Sequence, residues 1–119
     1  MTKTALIAAS RSDVSRALTE WLVINDIDIQ TVGSGNDAIA TMTHDRPDLV
    51  LAQMSMDDMS GLRLAHYLKA HEGFRQVPVI LLCRDEREMA LVRGQWPAFL
   101  FGDSLNPALI SELQRELVN

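Results

Sequence analysis

Pro47-Asp48-Leu49-Val50-Leu51-Ala52-Gln53-Met54-Ser55-Met56-Asp57-Asp58-Met59-Ser60-Gly61 changes character twice along its length. Leu49 to Ala52 is apolar without interruption, the pattern of a strand covered on both faces. Pro47 ends the segment before it, because the residue preceding a proline is pushed out of helical conformation. A polar and methionine-rich loop follows, and Gly61 then opens a helix that carries Leu62, Ala65 and Leu68 on one side. A fully apolar strand leading into an amphipathic helix is the repeating unit of an α/β protein.

The same unit recurs on both sides of this stretch. Upstream, Ala5 to Ala9 reads as a buried strand, and Ser12 or Asp13 is expected to cap a helix with Val14, Ala17, Leu18, Trp21 and Leu22 inward. Ile27 to Val32 is a second strand, and Asn36 is expected to open a helix with Ala38, Ile39 and Met42 on one side. Downstream, Val77 to Leu82 is a strand with Pro78 near its start, where a missing N–H is tolerable. Asp85 is expected to cap a short helix that turns Met89 and Val92 inward. Ala98 to Phe101 is a brief last strand, and Pro107 lies in the first turn of a helix that buries Leu109, Ile110, Leu113 and Leu117. Five strands thus alternate with five helices, and residues 1–119 form a single domain. Apolar strands joined by right-handed crossovers predict an α/β fold, a doubly wound parallel sheet with helices on both faces. If the strand order is the flavodoxin-like 2-1-3-4-5, the crevice opens at the carboxyl ends of the first and third strands, here Ala9-Ser10 and Gln53.

Composition limits the function classes. The chain is 47% hydrophobic and 23% charged with a formal net charge of -5, values ordinary for a globular protein. An acidic surface repels phosphate backbones, so direct binding of nucleic acid is not expected. No apolar run reaches the roughly 18 residues of a membrane helix, and Ala5 to Ala9 is too short for a signal-peptide core, so no membrane association is expected. The single cysteine, Cys83, cannot form an internal disulfide, which fits a cytoplasmic protein.

The stretch from Pro47 to Gly61 resembles the middle of a response-regulator receiver domain of the CheY-like family, which reads P-D-L-V-L-L-D-x-x-L-P-D-M-D-G with the aspartate after the strand as phosphoacceptor. Val77 to Leu82 is similar to the family's I-P-V-I-x-L, and Ala98 to Phe101 to the A-Y-L-x that precedes its lysine. The resemblance covers essentially the whole chain. It implies the five-stranded fold in the order 2-1-3-4-5 and a role in bacterial two-component signalling. In that family two acidic residues after strand 1 and the aspartate after strand 3 hold Mg²⁺, and the aspartate is the nucleophile. A hydroxyl after strand 4 and a lysine after strand 5 meet the phosphoryl group.

By this resemblance the acidic pair corresponds to Ala9 and Ser10, the phosphoacceptor to Gln53, the hydroxyl to Cys83 and the lysine to Gly102, followed by Asp103 in place of the usual proline. An amide is neither a nucleophile nor a charged ligand, and a thiol is a weak donor. The chain therefore reads as a pseudo-receiver with a degenerate phosphorylation site, not an enzyme and without a cofactor or metal. Its expected function is a phosphorylation-independent protein–protein interaction module. Two alternatives stand beside it: a small-ligand sensor using the emptied crevice, and a residual phosphotransfer protein.

Other residues have side chains suited to chemistry. Asp57 and Asp58 are expected in a solvated loop rather than as displaced phosphoacceptors. Asp48 lies at the opposite end of the third strand, roughly 16 Å from the crevice at about 3.3 Å per residue. Met54, Met56 and Met59 have thioethers that suit Cu(I), but loop anchoring or an adaptable apolar surface is the stronger reading. Cys83 reads as a small buried hydrophobe, and His44, His66 and His71, which lack ligand spacing, as surface residues. Trp96, Phe99 and Phe101 are the expected partner-binding residues, through the face of the fourth helix, fifth strand and fifth helix, toward a protein partner or a second copy. The connection from Cys83 to Phe99 is short for the family, which predicts a trimmed fourth helix.

Overall fold

The computed structural model describes residues 2–101 and 105–118, without the side chains of residues 12–15. Five strands alternate with five helices: β1 (Thr4–Ala8), α1 (Ser12–Ile24), β2 (Asp28–Val32), α2 (Gly35–His44), β3 (Leu49–Gln53), α3 (Gly61–Ala70), β4 (Val79–Cys83), α4 (Glu86–Val92), β5 (Ala98–Leu100) and α5 (Pro107–Leu117). The strands form one sheet in the order β2-β1-β3-β4-β5, and all pairs are parallel. This is the α/β, flavodoxin-like order anticipated from the alternation and the resemblance.

The alternation of side chains along each strand divides the core into two layers. Leu6, Ala8, Val50, Ala52, Leu81 and Cys83 face α2, α3 and α4, where they meet Ala38, Met42, Leu64, Leu68 and Val92. Ala5, Ile7, Leu49, Leu51, Ile80 and Leu82 face α1 and α5, where they meet Leu18, Leu22, Leu109, Leu113 and Leu117. Every residue of β3 and β4 is buried, so these central strands carry the uninterrupted apolar runs that the sequence displays. Burial of one such leucine contributes about 1.5–3 kcal/mol. The edge strands β2 and β5 are at best half-buried.

Several boundaries differ from the sequence expectations. α1 already includes Ser12 and Asp13, so its N-cap is Arg11 in extended conformation rather than either of them. Ser34, not Asn36, caps α2: its Oγ accepts the Asp37 N–H at 3.0 Å. β4 begins at Val79 rather than Val77, because the Pro78 carbonyl enters the ladder by accepting the Val50 N–H at 3.0 Å while its own nitrogen has no hydrogen to give. Ile110 is only half-buried, whereas its helix buries Glu112 beside Leu113; Glu112 is offset there by an ion pair to Arg115. Asp85 caps α4 as expected, its Oδ1 accepting the Glu88 N–H at 3.0 Å, and α4 is indeed short at 7 residues. The Val14 side chain, Gly102 and Asp103 lie outside the described residues.

Candidate functional site

The carboxyl ends of β1, β3 and β4 converge on one edge of the sheet. β1 ends at Ala8, followed by buried Ala9 and exposed Ser10. β3 ends at Gln53, which lies opposite Leu82 of β4 and is only 6% exposed. The Gln53 side chain is turned toward the loop after β1, where its Oε1 accepts the Ser10 N–H at 2.9 Å. Ser10 in turn donates its hydroxyl to the Gly33 carbonyl at 3.2 Å, and the Ala9 N–H is taken by the Val32 carbonyl at 3.0 Å. A buried amide that satisfies a backbone donor is a structural strut, and the position offers no carboxylate for a cation or a phosphoryl group.

The loop between β3 and α3 is held on its other sides as well. Asp58, expected to be merely solvated, accepts the Gly35 N–H at 3.0 Å and the Asn36 N–H at 2.8 Å. These are donors that the first turn of α2 leaves unsatisfied. The two bonds, that of Asn36 foremost, hold the Asp58 carboxyl below its ordinary range. Asp57 is exposed. Met54 is buried, while Met56 and Met59 are half-buried against the α2–α4 layer, so the methionines anchor the loop. Gly61 comes so close to the end of β3 that a Cβ there would stand 2.6 Å from the Gln53 carbonyl oxygen. That approach lets the Gly61 N–H reach the Met54 carbonyl at 2.9 Å and turn the chain into α3.

Cys83, at the end of β4, is completely buried. Burial, followed by the negative charges of Glu88, Asp85 and Glu86, pushes its thiol up to about 11, so it is protonated and unreactive at neutral pH. Beside it lies a residue that the sequence reading passed over. Glu88 is only 8% exposed; its Oε1 accepts the Arg84 N–H at 2.7 Å, and its Oε2 accepts the Ser55 hydroxyl. The Asp85-x-x-Glu88 spacing, a capping-box pattern, was the available signal. Among the described residues no group of three His, Cys, Asp or Glu is placed to hold a metal ion.

The three aromatic residues do not form one patch. Trp96 packs on the α2–α4 layer, edge-on to His66 at 4.7 Å and beneath the Lys69 ammonium at 5.5 Å. Phe99 and Phe101, two residues apart, turn to the α1–α5 layer. All three are half-buried. Trp96 lines two surface cavities, one of about 230 Å³ with Ala65, Leu68 and Pro97, the other of about 200 Å³ with Met89, Val92 and Ala98. His44, His66 and His71 are exposed as expected, His71 lying against Tyr67 and Phe74. Asp48 serves the opposite end of the sheet, where its Oδ2 accepts the Thr4 N–H at 2.8 Å. Among the described residues no helix is long and apolar enough to cross a membrane.

Comparisons with known proteins agree with this architecture. The chain is 35% identical over 71 residues to the regulatory protein LuxO of Vibrio vulnificus, a match that covers 60% of this chain and 15% of LuxO. This chain therefore corresponds to a small part of that relative's length. A sensor protein from a Polaromonas species superposes with a TM-score of 0.82 at 19% identity, over 96% of this chain and 94% of that one. The response regulator TrrA of Thermotoga maritima, solved in complex with Mg²⁺ and BeF, gives a TM-score of 0.80 at 20% identity, over 98% of this chain and 100% of that one. The response regulator receiver domain model matches residues 5–95. With that match across most of the sheet and its helices, the chain belongs to the response regulator receiver domain family, the receiver module of bacterial two-component signalling.

Proposed function

We propose that this receiver domain works without phosphorylation, as a constitutive protein–protein interaction module. The observation that carries the reading is Gln53, a neutral amide at the carboxyl end of β3, with its oxygen committed to the Ser10 N–H at 2.9 Å. Ala9 and Ser10 bring no charge to the same edge. Mg²⁺ gives up its water reluctantly and needs charged oxygen ligands, and an acyl phosphate needs a carboxylate nucleophile. Direct nucleic-acid binding is not part of this proposal, in keeping with the net charge of -5, and a cytoplasmic setting is.

The working surface in this reading is the face of α4, β5 and α5. β5 ends the sheet, and an edge strand can offer backbone groups for pairing. Trp96 between its two cavities supplies an aromatic anchor, and Phe99 and Phe101 supply partly exposed apolar area on the other side of the strand. A surface of one fixed shape binds without the cost of rearrangement.

Intact-mass analysis after incubation with acetyl phosphate and Mg²⁺ tests the proposal. The expected result is an unchanged mass. A stoichiometric phospho-adduct on any aspartate would overturn it.

A further inference from the structure

Glu88 is one of three buried polar or charged side chains among the described residues, with Gln53 and Glu112. The two carboxylates differ in reach: Glu112 is met within its own helix by Arg115, three residues on, whereas Glu88 is not confined to α4. One oxygen accepts the Arg84 N–H at 2.7 Å, just past the end of β4. The other accepts the hydroxyl of Ser55, 33 residues away in the loop after β3, with Nη2 of Arg84 at 3.6 Å from the same oxygen. The first of these bonds is local, four residues back along the chain. The second joins the helix to the loop that leaves Gln53.

We infer that Glu88 is a tethered anion that occupies hydrogen-bond donors at the carboxyl edge of β3 and β4 and thereby latches α4 onto the β3–α3 loop. A free anion arriving at Ser55 and Arg84 would meet donors already in use and a like charge already buried there. The latch is internal to the chain and permanent, so α4 keeps one position and the surface beside it keeps one shape. This rests on the reading that the domain works without phosphate, and it identifies what fixes the surface in the absence of a phosphoryl group.

Hydrogen exchange read by mass spectrometry on the whole chain tests the latch. In Glu88→Ala the amides of residues 86–92 should exchange about 10- to 100-fold faster, the range expected for a lost charge-assisted bond, while those of β1 and β3 keep their protection. Ser55→Ala leaves the local cap by Asp85 in place and should loosen the same amides to a lesser degree. If Glu88→Ala does not fold, Ser55→Ala and the conservative Glu88→Gln decide, and unchanged α4 exchange in Ser55→Ala overturns the latch. A phospho-adduct on the wild type would sink the proposed function without touching these exchange rates; unchanged exchange would sink the latch and leave the proposed function standing.

Discussion

The Gln53 side-chain oxygen and the Ser10 backbone N–H, 43 positions apart in sequence, are joined at 2.9 Å. Gln53 is thereby part of the framework that holds the loop after β1 against the end of β3. Replacing it by aspartate shortens the side chain by one methylene and supplies one carboxylate without its companions. Groups that act as a unit are strongly non-additive. Gln53→Asp alone is therefore expected to remain unlabelled by acetyl phosphate. It should be compared with the combination Ala9→Asp, Ser10→Asp, Gln53→Asp and Gly102→Lys under the same conditions. Efficient labelling of the single variant would show that the surrounding site is more complete than its residues indicate.

Gly61 and Gly35 both lack room for a side chain, for different reasons. A Cβ on Gly61 would meet the backbone oxygen of Gln53 at 2.6 Å, whereas a Cβ on Gly35 would meet Cγ of Met59 at 2.4 Å. Backbone at the end of a central strand cannot yield, but a half-buried methionine can change rotamer. Gly61→Ala should cost about 1–3 kcal/mol, the range of overpacking in a closed site. Gly35→Ala should cost less. Urea denaturation of both variants gives the order directly, and an equal loss in the two would contradict this account.

Asp58 ties stability to pH. Its carboxyl lies below the ordinary range because the N–H groups of Asn36 and Gly35 favour the ionised form. A depressed folded-state pKa gives stability that is present above the unfolded value, about 3.9 for an aspartate, and is lost as pH falls through the folded value. The melting temperature of the wild type should exceed that of Asp58→Asn near neutrality, and the gap should narrow below about pH 4. A gap that stays constant from about pH 7 to about pH 3, across the ordinary aspartate range, would mean that the ionised form carries no advantage.

The aromatic residues near β5 separate by variant. Trp96 rests on His66 and Lys69 at the surface, while Phe99 packs on the layer that contains Leu109 and Leu113. Trp96→Ala should keep the fold and weaken self-association by light scattering or capture of a protein partner. Phe99→Ala should lower stability by about 1–3 kcal/mol, less than a fully buried phenylalanine would. Thermal melts distinguish lost binding from lost folding. If Trp96→Ala keeps its fold and all association is unchanged, this face is not the interface and the α1 side becomes the next candidate.

Much of the architecture is legible in the sequence because the signals are local. Leu49 to Ala52 is buried on both faces, so every residue in it must be apolar, and that run alone announces a central parallel strand. Asp85 and Pro107 mark the starts of their helices because capping is a matter of a few neighbouring residues. The edges are less legible: β2 and β5 are only half-buried, so their composition is less constrained, and nothing in Trp96, Phe99 and Phe101 says which layer each will join. The alternation along β5 placed Phe99 and Phe101 together, but the tertiary structure alone put them against α1 and α5 and left Trp96 on the other side. The same division runs through the site. The residue types at Ala9, Ser10, Gln53 and Cys83 can be read from the chain. The partners of Gln53, Asp58 and Glu88 lie 43, 23 and 33 positions away. A hydrogen bond depends on distance and direction in space, and only the packing of the sheet and its helices brings such groups within reach of one another.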